Sequence, residues 1–184
     1  SPRSSRVHRR ELRSSSAPMW GFGGVHGGLA LALLTAAMER RAAGRVLRSV
    51  SAQYRRPLRA AFDVEIEEDG AGKSVRWLSA RAVSGGVTAV EARAVFAMAA
   101  RDRAEAMSPP RPVAPPPLEC PTFTVPPELV PFARRTEIRP VGPARPFAGQ
   151  GEPELVAWLR LVDDDAPVDA ARLILLMDAL APSY

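Results

Sequence analysis

GFGGVHGGLALALLTAAME, residues Gly21–Glu39, carries five glycines and a histidine ahead of an apolar run that no helix breaker interrupts. Glycine lacks a Cβ and tolerates positive φ, so it lets backbone N–H groups approach a ligand closely. Leu29, Leu33 and Ala37 recur at steps of four, with Leu34 and Met38 beside them. That spacing predicts a helix that is apolar nearly all round and therefore buried. A glycine-rich turn entering such a helix aims unpaired N–H groups at one spot, which favours negative charge.

Downstream, Arg40 and Arg41 suit the negative end of that helix, which is expected to stop by Gly44. Val46–Tyr54 alternates as a half-buried strand does, and Pro57 breaks the pattern. Phe62, Val64 and Ile66 alternate with Asp63, Glu65 and Glu67, and Asp69–Gly72 reads as a tight hairpin connection. Lys73–Val83 is the return strand, with Val75, Trp77 and Ser79 on one face, and Val87–Met98 follows the turn Ser84-Gly85-Gly86. Residues 19–100 thus read as one helix and four antiparallel strands. Pro109–Pro146 contains 13 of the 19 prolines, so Arg101–Pro127 is expected to be a linker with extended stretches. Short strand signals follow at Phe132–Ile138 and Leu155–Leu161, and Val168–Leu180 predicts a second apolar helix ending before Pro182.

A chain of 184 residues can bury a core, and 46% apolar with 24% charged residues is ordinary for a soluble globular protein. No apolar run reaches the roughly 18 residues that span a bilayer, and no signal-peptide pattern opens the chain, so no membrane association and a cytoplasmic location are expected. The net charge of +5 is concentrated at the start, where Arg3, Arg6, Arg9, Arg10 and Arg13 stand against Glu11. That distribution fits a disordered basic tail over residues 1–18 and argues against nucleic acid as a partner. Cys120 is alone among prolines, which excludes an internal disulfide and predicts an exposed thiol. Two histidines and one cysteine are too few and too scattered for a metal site, and no cofactor is expected. Gly72-Lys73-Ser74 imitates the end of a phosphate-binding loop, but Glu67 stands where that loop needs a glycine. Gly21–Gly23 likewise fails as a dinucleotide fingerprint, because position 26 is His26.

The two apolar helices can be superposed in sequence. Setting Gly28 against Ala170 pairs Leu31 with Leu173, Leu33 with Leu175, Leu34 with Leu176 and Ala36 with Asp178. This is either an internal repeat or the chance similarity of two Leu/Ala helices. Asp178 interrupts the second helix and is its only carboxylate after Asp169. Burying a carboxylate unpaired is costly, so Asp178 is either held by partners at a site or turned to solvent near the helix end. Gly27 and Gly28 either present free N–H groups or simply allow close packing. His26, before the helix, fits a packing or hydrogen-bonding role better than that of a base.

Several strings in order resemble the double-hotdog acyl-CoA thioesterases, the TesB-like thioesterase superfamily. They are FGGVHGGLALALL, SVSAQYRRPLR, the hairpin GAGKSVRWLSARAV, the strand TAVEARAVFAM, and AWLRLVDDDAPVDAARLILLMDALAP. The resemblance covers about Met19–Pro182 and implies an α+β hotdog fold, an antiparallel sheet wrapped around a long central helix. It divides the chain into a tail (1–18), an N-terminal hotdog repeat (19–100), a Pro-rich linker (101–127) and a partial C-terminal repeat (128–184). A complete member continues with further strands that bring a hydroxyl and an amide side chain beside the aspartate. The chain is therefore expected to be truncated or completed by another chain, and to self-associate as a homo-oligomer through its exposed edges.

The resemblance implies hydrolysis of acyl-CoA-type thioesters. Asp178 would activate water, the N–H groups at Gly27 and Gly28 would hold the oxyanion, and His26 would line the substrate site. Ala36 occupies the position matching Asp178, so one catalytic carboxylate at most is expected. Arg55, Arg56 or Arg59 would meet the phosphates of the CoA. The alternative is a non-catalytic acyl-CoA-binding or assembly module. Hydration of enoyl-CoA, another hotdog chemistry, wants a paired Asp and His, whereas in sequence His26 has no acid near it and Asp178 no histidine.

Overall fold

The computed structural model describes residues 20–21, 23–99, 110–146 and 154–180. The expected basic tail, residues 1–18, lies outside them, as do residues 101–109 of the linker.

Helix α1 spans Gly27–Glu39. It starts at Gly27, where the expected glycine turn hands over to the helix. Gly21 N–H donates to the Gly24 carbonyl at 2.8 Å, and Trp20 bridges Val25. Gly23 sits at a φ of +79°, a conformation that favours glycine. Gly24 must be a glycine for a different reason: a Cβ there would lie 2.9 Å from the Leu58 carbonyl oxygen. Val25 N–H donates to that same oxygen, which clamps the helix entry to the segment after the first strand.

Four strands follow: β1 (Val46–Tyr54), β2 (Asp63–Ala71), β3 (Val75–Ser84) and β4 (Val87–Ala97). They form one sheet in the order β1-β4-β3-β2, with every neighbouring pair antiparallel. The inward face is lined by small residues. Ala80 stands opposite Ala92 and Leu78 opposite Ala94, and all are buried. That shallow surface lets α1 lie against the sheet through Ala30, Leu34, Ala37 and Met38. Burying Leu34 and Met38 completely contributes about 1.5–3 kcal/mol for each side chain. Val75, Trp77 and Ser79 do share a face, but it is the outer one, so the tryptophan is exposed. The first hairpin pairs through Ala71, beyond the expected turn at Asp69, because an irregularity between Glu68 and Gly70 absorbs a residue.

The remaining chain is less regular. The 3₁₀ turns Pro117–Glu119 and Pro131–Arg135 precede β5 (Thr136–Pro140), which pairs antiparallel with β6 (Ala157–Leu161). Phe132–Ile138 was readable as a strand, but Pro131 opens a 3₁₀ turn there and only the second half extends. Cys120 corrects the expectation of an exposed thiol: it is 5% exposed, because the proline segment folds back on β5. Arg139 donates to the Cys120 carbonyl at 2.7 Å, and Phe123 bridges Ile138. Helix α2 covers Ala170–Met177, with Asp169 capping it by accepting from the Arg172 N–H at 2.8 Å. No helix among the described residues is long and apolar enough to cross a membrane.

Candidate active site

The start of α1 meets the end of α2, and the meeting depends on glycine. A Cβ on Gly28 would lie 2.7 Å from the Asp178 Cβ and 3.2 Å from the Ile174 carbonyl oxygen. With hydrogen in that place, the Gly28 N–H donates to Asp178 Oδ2 at 2.5 Å, across 150 residues of sequence. Gly28 thus permits the close packing, and its N–H is taken by the carboxylate instead of standing free for an oxyanion as expected. Asp178 is the residue on which α2 ends, at φ −82° and ψ −7°. Its carboxylate thus sits at the negative end of one helix, an unfavourable place, and faces the positive end of another, which offsets it. The side chain keeps 51% exposure, so it is held and open to solvent at once.

His26, Gly27 and Gly28 all lie against this carboxylate. A Cβ on Gly27 would come within 3.0 Å of Asp178 Oδ2 and 3.4 Å of Tyr54 Cε1, so Gly27 is held between the acid and the phenol ring. The His26 Nδ1 approaches Asp178 Oδ2 to 3.4 Å without forming a hydrogen bond. Its ring stacks on Phe132, centroids 3.9 Å apart and planes at 28°. Burial pushes the His26 pKa below the usual histidine value, and the nearby Asp178 charge only partly opposes this. The imidazole is accordingly held neutral at pH 7.

Tyr54, which lies in the string SVSAQYRRPLR but carries no expected role there, completes the cluster. It ends β1 and donates from its hydroxyl to the Gly27 carbonyl at 3.0 Å. Burial, followed by the Asp178 charge, raises its pKa above the usual tyrosine value, so the hydroxyl stays a donor. The only sequence hint is position: an aromatic at the last residue of a strand, just before the Arg55-Arg56-Pro57 break.

Beside the cluster opens a cavity of about 590 Å³, which His26, Gly27 and Asp178 help to line. Val125, Val130, Phe132 and Ile138 give it apolar walls. The second unit therefore supplies both the acid and most of the apolar lining. Of the three arginines expected near phosphates, Arg55 is paired with Glu91 at 2.6 Å and Arg59 donates to the Gly23 carbonyl at 2.9 Å. Arg56 is exposed. Among the described residues no group of His, Cys, Asp and Glu side chains could hold a metal ion.

Comparison with known proteins adds the family. The sequence matches the acyl-CoA thioesterase N-terminal domain over residues 16–97 and the acyl-CoA thioesterase C-terminal domain over residues 112–184. No curated protein sequence matches the chain. Among solved structures, a conserved protein of unknown function with hot dog fold from Alicyclobacillus acidocaldarius superposes with a TM-score of 0.79 at 24% identity, covering 91% of this chain and 63% of that one. The TesB protein of Mycobacterium avium subs paratuberculosis gives a TM-score of 0.65 at 22% identity, covering 95% and 65%. Acyl-CoA thioesterase II TesB2 from Mycobacterium marinum gives 0.63 at 20% identity, covering 83% and 59%. The chain thus spans about three fifths to two thirds of the length of these structures, and what they share with it is the hotdog fold.

Proposed function

We propose that this chain, which belongs to the acyl-CoA thioesterase family, hydrolyses acyl-CoA-type thioesters where the start of α1 meets the end of α2. One observation carries the reading. The Gly28 N–H holds Asp178 Oδ2 at 2.5 Å in the wall of an apolar cavity, which leaves Oδ1 to take a proton from water.

The two glycines divide the work. The Gly28 N–H is committed to the carboxylate and orients the base. The Gly27 N–H belongs to the first turn, where the helix supplies no carbonyl partner, and it takes the oxyanion. Water, deprotonated by Asp178, adds to the thioester carbonyl as its π electrons move onto oxygen. The tetrahedral intermediate collapses, the C–S bond breaks, and the proton on Asp178 passes to the departing CoA thiolate. The products are a carboxylic acid and free CoA. His26, held neutral by burial and fixed against Phe132, lines the site without competing as a cation for Asp178.

The acyl chain occupies the cavity bounded by Val125, Val130 and Ile138, where each buried methylene contributes about 0.8 kcal/mol. The CoA end stays at the surface, within reach of Arg56. Asp178→Asn preserves the size of the side chain and an acceptor for the Gly28 N–H but removes the base. Turnover of acyl-CoA is expected to fall about 10²- to 10⁴-fold with binding retained. A variant as fast as the parent would remove Asp178 from the role, and a parent that binds acyl-CoA without turnover would make the chain a binding module.

A further inference from the structure

Tyr54 and Asp178 are bonded to opposite ends of one peptide unit. The Tyr54 hydroxyl donates to the Gly27 carbonyl at 3.0 Å, and the N–H of the same amide, that of Gly28, donates to Asp178 Oδ2 at 2.5 Å. We infer that Tyr54 is a positioning residue for the reaction, acting on Asp178 through the Gly27–Gly28 peptide. The inference rests on the proposed role of Asp178 as base.

The physical reason is polarisation. A donor on an amide oxygen draws electron density from the amide nitrogen and makes its N–H a stronger donor, so bonds in a chain reinforce one another. A carbonyl oxygen has two lone pairs, so the phenol adds to the bond the helix itself makes there. The peptide lies in the first turn of α1, where the helix's own N–H groups lack partners and the helix field is positive. A carboxylate gripped there by a strengthened N–H keeps one oxygen fixed and leaves the other for the reaction.

The geometry around Tyr54 fits positioning rather than incidental contact. Its strand end is pinned, since Tyr54 registers with Val90 in β4 and the next residue, Arg55, donates its N–H to the Ala89 carbonyl at 2.8 Å. Its ring lies against Gly27, where a Cβ would come within 3.4 Å. The side chain is otherwise half exposed and does not line the cavity, so it does not touch an acyl chain held there. Burial and the neighbouring Asp178 charge both keep the phenol protonated, which is the form the relay needs.

The test is Tyr54→Phe in the whole chain, read two ways. In protein labelled with ¹⁵N at glycine, the Gly28 amide proton is expected to move upfield as its bond to Asp178 weakens. With acyl-CoA as substrate, kcat is expected to fall about three- to tenfold with KM unchanged. In an Asp178→Asn background the same substitution is expected to add no further loss, because the relay then ends on no base. Replacing Tyr54 by 3-fluorotyrosine, which keeps the ring and strengthens the donor, is expected to move the Gly28 resonance downfield. An unmoved Gly28 resonance overturns the relay, and so does a raised KM at constant kcat, which would place Tyr54 on the substrate. If Asp178→Asn keeps the parent rate while Tyr54→Phe still moves the resonance, the base assignment fails and the relay stands.

Discussion

Helices α1 and α2 are similar strings of leucine and alanine with opposite fates. Four strands enclose α1, so that Leu34 has no exposure at all. Among the described residues the unit of α2 has just the two-stranded β5–β6 sheet, and Leu173, which matches Leu31 of α1, is 51% exposed. Composition made both helices; the sheet around each decided which one is buried. The chemistry divides the same way. The enclosed helix supplies rigid N–H groups, and the open helix supplies the carboxylate at its end, where water can reach it.

Truncations in the two helices give the sharpest contrast. Leu34→Ala leaves a cavity between α1 and the sheet and is expected to destabilise the fold by about 2–5 kcal/mol. Leu173→Ala removes a side chain that is already half in water and is expected to change stability by about 0.5 kcal/mol or less. Urea unfolding of the two variants measures both. Equal losses would mean that in solution something covers α2 as fully as the sheet covers α1, and the difference between the helices would vanish.

The junction itself is the next place to press. Gly28→Ala puts a methyl group 2.7 Å from the Asp178 Cβ and 3.2 Å from a backbone oxygen, and neither is the free end of a flexible side chain. The two helix ends must separate, at a cost of about 1–3 kcal/mol, and the Gly28–Asp178 bond is lost with them. Thermal unfolding should register the first effect and acyl-CoA turnover the second. A Gly28→Ala protein of parental stability and activity would show that the close approach of α1 and α2 is dispensable.

The sequence and the structure agree most where a pattern is local. The alternation in β1 to β4 and the apolar spacing of α1 gave the first unit nearly strand by strand, because each side chain's periodicity is fixed by the element it sits in. The strings FGGVHGGLALALL and AWLRLVDDDAPVDAARLILLMDALAP also carried the family. What the sequence could not carry was long-range. Tyr54 reaches Gly27 only because the register Tyr54↔Val90 ends β1 at that height, and nothing near Tyr54 announces it. Cys120 is buried by a proline segment whose fold depends on β5, so its neighbours in sequence misrepresent its surroundings. The commitment of the Gly28 N–H to Asp178 arises from packing between residues 150 apart.

The finest test of the junction is its response to pH. Burial lowers the His26 pKa, with Asp178 opposing, so the unfolded chain binds a proton at this site more readily than the folded one. A depressed histidine pKa gives stability that is full above the unfolded value of about 6.5 and lost as pH falls below it toward the folded value. The slope from one such group cannot exceed about 1.4 kcal/mol per pH unit. His26→Phe keeps an aromatic ring to stack on Phe132 but removes the titration. The parent should therefore lose stability relative to His26→Phe as pH falls below about 6.5, and the two should run parallel well above it. Subtracting one curve from the other also cancels the titrating groups that do not interact with His26. If the difference instead grew in the parent's favour on acidification, His26 would be gaining its proton in the fold. The Asp178 charge would then outweigh burial, and the junction would be held by an ion pair rather than by the Gly28 N–H.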